Sequence, residues 1–82
     1  MKINYEPRYN IAYIKLKEKT GEIETIRISD ELNIDISPDG KIYGIELLNA
    51  NEQLQIVEKG EFTFTDESTH KTLKLPITIQ KN

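Results

Sequence analysis

The stretch DISPDGKIYGIE, residues 35–46, has two readings, and the choice between them decides the fold. As a motif it matches the twelve-residue calcium loop of an EF-hand. Asp35, Ser37 and Asp39 stand at positions one, three and five, Gly40 at six, Ile42 at the aliphatic position and Glu46 at twelve. As a fold element, Ser37-Pro38-Asp39-Gly40-Lys41 is a hairpin turn. Pro38 suits the first corner of a type I turn, Asp39 the second, and Gly40 the left-handed position that follows.

The flanks favour the hairpin. A calcium loop of this kind is slung between two helices, but here both sides alternate apolar and polar residues with period two. Leu32, Ile34 and Ile36 alternate with Asn33 and Asp35 on one side, and strand character resumes at Ile42 on the other. If Ser37 faces Lys41, then Ile36 faces Ile42 and Asp35 faces Tyr43. Side chains alternate along a strand, so Asp35 and Glu46 are then expected on opposite faces, unable to share an ion. Calcium binding by Asp35, Asp39 and Glu46 is the alternative and requires helices on both flanks. No metal and no other cofactor is expected.

The same alternation extends outward. Ala12, Ile14 and Leu16 share one face, opposed to Ile11, Tyr13 and Lys15. Ile26 and Ile28 flank Arg27, Phe62 and Phe64 flank Thr63, and Leu73, Leu75, Ile77 and Ile79 alternate with Lys74, Pro76 and Thr78. Turn signals at 19–21, 37–41 and 68–70 suggest hairpins between sequence neighbours. The pattern breaks only at 49–59, where Leu54, Ile56 and Val57 are helix-compatible, Asn51 could cap and Gly60 could terminate. The expected fold is mainly β: a small antiparallel meander, flat or partly closed into a barrel, with one short helix or turn around residues 50–59. One domain spans residues 1–82, with a β core over 3–50 followed by the helix or turn and a C-terminal hairpin over 51–82.

Composition agrees. Thirteen Ile and seven Thr against two Ala favour pleated sheet over helix. A chain of 82 residues buries only about 60% of its unfolded surface, so a thin core is expected. The net charge of −3 provides no basic stripe for nucleic acid. Cysteine is absent, so there is no disulfide, thiolate zinc site or redox motif. With no apolar signal core and no run long enough to span a membrane, the expectation is a cytoplasmic protein.

Few residues suggest chemistry. His70, the single histidine, lies beside Ser68 and Thr69 in a turn, with no acid and nucleophile arranged around it. Glu46 on a largely apolar strand needs a partner, and Arg8 or Arg27 is expected to supply a structural ion pair. An enzymatic or small-ligand site around Glu46 is the alternative. Tyr13, Tyr43 and Ile45 are expected on one sheet face as a core or recognition patch. Pro76 lacks an amide hydrogen, which puts its strand at an edge, where Leu75 and Ile77 could pair with another chain.

Taken in order, Tyr5-Glu6-Pro7, Ala12-Tyr13-Ile14-Lys15-Leu16, Ile23-Glu24-Thr25, Asn33-Ile34-Asp35, Asp39-Gly40 and Gly44-Ile45-Glu46-Leu47-Leu48-Asn49-Ala50 form a recognisable series. It resembles the small prokaryotic family known as domain of unknown function 2283. That family's pattern runs Y-D-P, D-A-L-Y-I-x-L, an interior E-T, and D-x-D-x-D-G-x-x-x-G-I-E-I-L-D-A. The resemblance covers about Ile3 to Ala50. Glu6 replaces the usual Asp, Asn10 and Asn49 stand where acids are common, and the hairpin from Phe62 onward lies outside the pattern. The resemblance implies a compact antiparallel β domain with no established activity. It also implies a protein-binding or antitoxin-like role, because members look like partners of small toxin-like proteins. The expected partner is therefore another protein, either a second copy of the chain or a small basic toxin-like protein, with no direct contact to nucleic acid or membrane.

Overall fold

Cross-strand isoleucines organise the main sheet. In the computed structural model, which describes residues 1–55 and 60–77, Ile3, Ile14, Ile45, Ile34 and Ile26 pair in one continuous row across five strands. These strands are β1 (Lys2–Glu6), β2 (Ile11–Lys15), β3 (Glu24–Ser29), β4 (Leu32–Ile36) and β5 (Ile42–Leu48), all paired antiparallel. A helix, α1 (Ala50–Leu54), follows, and β6 (Glu61–Asp66) and β7 (Lys71–Pro76) form a separate two-stranded hairpin. The mainly β reading holds, and the sheet is open rather than a closed barrel.

The strand order is β1-β2-β5-β4-β3, so β2 and β3 do not pair. The uninterrupted meander expected from the turn signals is corrected at this point. Residues 16–23 carry the chain from β2, second in the sheet, to the opposite edge at β3, placing Lys19 over the polar face. Eight extended residues reach about 26 Å, well beyond the three strand spacings of about 14 Å to be crossed.

The turn at 37–41 forms as the sequence indicates. Gly40 N–H donates to the Ser37 carbonyl at 2.9 Å, Ser37 N–H donates to that of Lys41 at 2.9 Å, and Gly40 has φ +88°. A side chain at Gly40 would meet open space but would impose a left-handed backbone on an L-residue. Gly40→Ala is therefore expected to lower stability by about 1 kcal/mol, measurable by urea denaturation with no change in the slope.

The helix departs from expectation in its ends. Asn49 takes the N-cap position and Gln55 the C-cap position, both left-handed, where Asn51 and Gly60 were the anticipated signals. Asn10 explains the start. Its carbonyl accepts from Ala50 N–H at 2.9 Å, and its Oδ1 accepts from Asn51 N–H at 2.7 Å. The β1–β2 turn thus supplies the cap, aided by an amide contact between Asn10 and Asn49 at 3.1 Å. Asn10 and Asn49, both at φ 55°, stand where the family pattern has acids and here shape turns. Ile56, Val57 and Ile79 lie outside the described residues.

The core is small. Among the described residues only Ala12, Tyr43 and Ala50 are buried apolar ones. The isoleucine row is half-buried at its centre and exposed at both ends.

Candidate functional site

The polar face of the main sheet carries two cross-strand rows, Asn4–Tyr13–Glu46–Asn33–Arg27 and Lys2–Lys15–Gly44–Asp35–Thr25. Gly44 opens a gap between Lys15 and Asp35, and the Tyr13 ring lies across it. A Cβ placed on Gly44 would sit 2.0 Å from the Tyr13 hydroxyl oxygen. From there Tyr13 donates to Asp35 Oδ2 at 2.7 Å, while Thr25 donates to Oδ1 at 2.6 Å. Lys19 closes the cluster from the crossover segment, with Nζ 2.9 Å from Asp35 Oδ2 and 5.3 Å from the centre of the Tyr13 ring.

Asp35 is the hub and is 8% exposed. Burial opposes its charge, but the hydrogen bonds from Thr25, Tyr13 and Lys19 outweigh that cost and hold the carboxyl at about 2. Tyr13 is raised, by burial first and then by its bond to Asp35, and Lys19 is raised by its bond to Asp35. Near neutrality the cluster therefore holds a carboxylate, an ammonium and a neutral phenol. Both Asp35 oxygens are engaged within the chain. The arrangement ties β2, β3, β4 and the crossover together electrostatically, and neither Asp35 nor Lys19 is poised to exchange a proton at pH 7.

Glu46 borders the same depression, of about 410 Å³, with Tyr13, Lys19, Thr25 and Asp35. Asp35 and Glu46 thus share a face, contrary to the alternation argument. The cause is a β-bulge: Ile36 pairs with Ile42, but Asp35 pairs with Gly44, leaving Tyr43 as the extra residue. The bulged Tyr43 carbonyl turns to β2 and accepts from Leu16 N–H at 2.9 Å. Even so, the three acids of the calcium reading do not assemble. Asp39 stays in the turn, bonded to the Ser37 hydroxyl and 3.6 Å from Lys41 Nζ, and the flanks are strands. Among the described residues no three His, Cys, Asp or Glu side chains gather in a metal-holding group.

The expected ion pairs of Glu46 with Arg8 or Arg27 are not formed. Arg8 bonds Glu6 two residues away, at 3.4 Å, and Arg27 bonds Asp30 in the adjoining turn. Asn33 stands between Arg27 and Glu46 in the row and donates to Glu46 Oε1 at 2.8 Å. An amide therefore satisfies the acid where an arginine was anticipated.

The expected patch of Tyr13, Tyr43 and Ile45 is also divided. Tyr13 lies on the polar face, whereas Ile45 sits in the isoleucine row on the opposite one. Tyr43 is buried at the bulge, with Lys17 Nζ 5.5 Å from its ring and its hydroxyl 3.4 Å from Thr20 Oγ1. Leu75 and Ile77 do come together. They border an apolar groove of about 560 Å³ with Phe62 of β6 and Met1, Ile3 and Tyr5 at the β1 margin. Lys19, Thr25 and Gly44 received no site role from the sequence. Thr25 belongs to the Glu-Thr element, and Gly44 interrupts a strand, a recognised sign of close approach. Nothing local marked Lys19, whose partner is 16 residues away.

Residues 2–51, more than half of the chain, match the family model described as protein of unknown function (DUF2283). No curated protein and no solved structure matches the chain. No helix among the described residues is long and apolar enough to cross a membrane.

Proposed function

Because the chain belongs to the DUF2283 family, described as of unknown function, we propose a role from its own surface: a non-enzymatic protein-binding module of antitoxin-like type. The observation that carries this reading is the uncovered apolar surface. Among the described residues only three apolar ones are buried, while Ile26, Ile28, Ile42, Phe64, Leu73 and Leu75 are between 40% and 58% exposed. Scattered apolar residues are ordinary on a protein surface, but contiguous patches mark places where another molecule docks. The polar cluster supports the same choice, since its central acid is spent on holding the fold. The net charge of −3 favours a basic partner, and a cytoplasmic setting belongs to the same proposal.

The test uses the tagged chain as bait in lysate of its source cells, with retained proteins identified by mass. One small basic protein should be held near one-to-one at low salt, and Leu73→Asp and Ile26→Asp should each cut its retention at least about tenfold while the β-sheet circular dichroism is unchanged. Unchanged retention in both variants, or nothing retained, would reject binding to a foreign protein through this surface.

A further inference from the structure

The acid at the centre of the main sheet is only half satisfied. Glu46 stands on β5, between β2 and β4, and is half-buried. Its Oε1 accepts from the Asn33 amide at 2.8 Å, and among the described residues nothing pairs with Oε2. A carboxylate drawn partly out of water is costly unless it is paired, and an amide brings no compensating charge. The neighbouring cations are engaged elsewhere. Lys15 pairs with Glu18 at 2.9 Å, Arg27 with Asp30, and Lys19 with Asp35 at 2.9 Å. Lys2 stands two strands away, at the β1 edge. The depression that Glu46 shares with Tyr13, Lys19, Thr25 and Asp35 thus sets two carboxylates against one ammonium, one negative charge in excess.

The direction of the hydrogen bonds fixes what that space can take. Asp35 is held ionised at neutrality, so its oxygens only accept. Tyr13 and Thr25 have one hydroxyl proton each, and both are given to Asp35, at 2.7 and 2.6 Å. What is left on their oxygens is lone pairs. Apart from the Lys19 ammonium, which Asp35 neutralises, the lining offers only acceptors: the two hydroxyl oxygens and the carboxylates. They belong to β2, β3, β4 and β5 and line one space of about 410 Å³, within the size range of small-ligand sites. An anion finds no donor there except Lys19. A metal ion lacks ligands, since no three acids gather among the described residues. A planar guanidinium suits the space: its five N–H donors point outward in one plane, its charge is permanent, and it is less strongly hydrated than an ammonium.

We propose that this depression binds a guanidinium group, with Glu46 Oε2 as the counter-charge and the Tyr13 and Thr25 oxygens accepting further N–H groups. The site lies on the sheet face opposite the isoleucine row, so it stands apart from the apolar surface and its proposed role. Two sources present this chemistry, an arginine side chain of another protein and a free guanidinium compound. Asp35 keeps its bonds and remains the tie between strands; Glu46 does the recognising.

An NMR titration of the full isotope-labelled chain tests it, with N-acetyl-arginine methylamide as the probe. Saturable shifts of the Gly44, Glu46 and Asn33 amides are expected, with a Kd of about 1–10 mM, ordinary for a single charge-assisted contact. The citrulline analogue has nearly the same shape without the charge and should bind at least about tenfold more weakly. Glu46→Gln keeps an acceptor for Asn33 and removes the charge. It should raise the Kd for the arginine probe at least about tenfold, with the sheet circular dichroism unchanged. The comparison of the two ligands reads the same charge on the wild-type chain, so the test survives a variant that does not fold. Free L-arginine separates the sources. Binding about tenfold or more tighter than the blocked form points to a free compound, and equal or weaker binding to a side chain. Equal affinity for the arginine and citrulline probes, no saturable shift up to about 50 mM, or a Kd unchanged in Glu46→Gln overturns the proposal. None of these outcomes bears on protein retention through Leu73 and Ile26, so the two readings fail separately.

Discussion

Asp35→Asn is expected to lower stability at pH 7 by about 2 kcal/mol, with the loss shrinking as the pH falls toward about 2 and vanishing below it. Asparagine keeps the shape of the side chain but removes the charge that gathers Tyr13, Thr25 and Lys19 around it. The sign of the pH effect follows from the carboxyl's position. Asp35 titrates at about 2 in the folded chain against an ordinary 3.8, so the unfolded state takes up its proton first as the pH falls. The stabilisation is complete above the ordinary value and is lost on acidification through the folded one. Below that, wild-type Asp35 is itself neutral and the two proteins converge. Urea denaturation of both at matched concentration, from pH 7 to pH 2, gives the difference curve and cancels the remaining carboxylates. A constant difference across the range would mean that the substitution acts through shape and not through charge. Lys19 is about half exposed, which is why the expected loss is below the range for a fully buried pair.

Gly44→Ala should cost more, about 3 kcal/mol, at the upper end for overpacking. The added methyl would lie 2.0 Å from the Tyr13 hydroxyl oxygen and 2.4 Å from Cζ. No small adjustment relieves such an overlap, so the ring must leave Gly44 and with it the 2.7 Å bond to Asp35. The position requires glycine for the space above it; unlike Gly40, it is not held at positive φ. A Tyr13→Ala background isolates this cause. There the methyl has nothing to displace, and Gly44→Ala should cost under about 1 kcal/mol, as expected of residues that share one contact. An undiminished cost would place the strain in the backbone of the bulge instead.

Much of the fold was legible from residue order because strand alternation is a local property. Leu32, Ile34 and Ile36 mark β4 from their own spacing, and Pro38, Asp39 and Gly40 mark the turn by their backbone preferences. The faces of β5 were not legible in the same way. Alternation predicts facing only while the pairing is regular, and the single extra residue at Tyr43 exchanges the two sides of everything beyond it. Glu46 thus moves onto the face of Asp35, and Ile45 away from that of Tyr13. Glu46 also shows the limit of pairing by charge: the need for a partner was readable, but Asn33 is the neighbour that the register provides.

The sequence by itself determined the strands from β2 onward, the hairpin turn at 37–41, the place of the short helix and the family, because each depends on spacing within a few residues or on motif order. Only the tertiary structure decided that β2 neighbours β5, that Lys19 crosses to Asp35, that Tyr13 lies over Gly44, and which apolar faces stay uncovered. Those outcomes depend on which strands meet and in what register, a choice made by contacts between residues far apart in the chain.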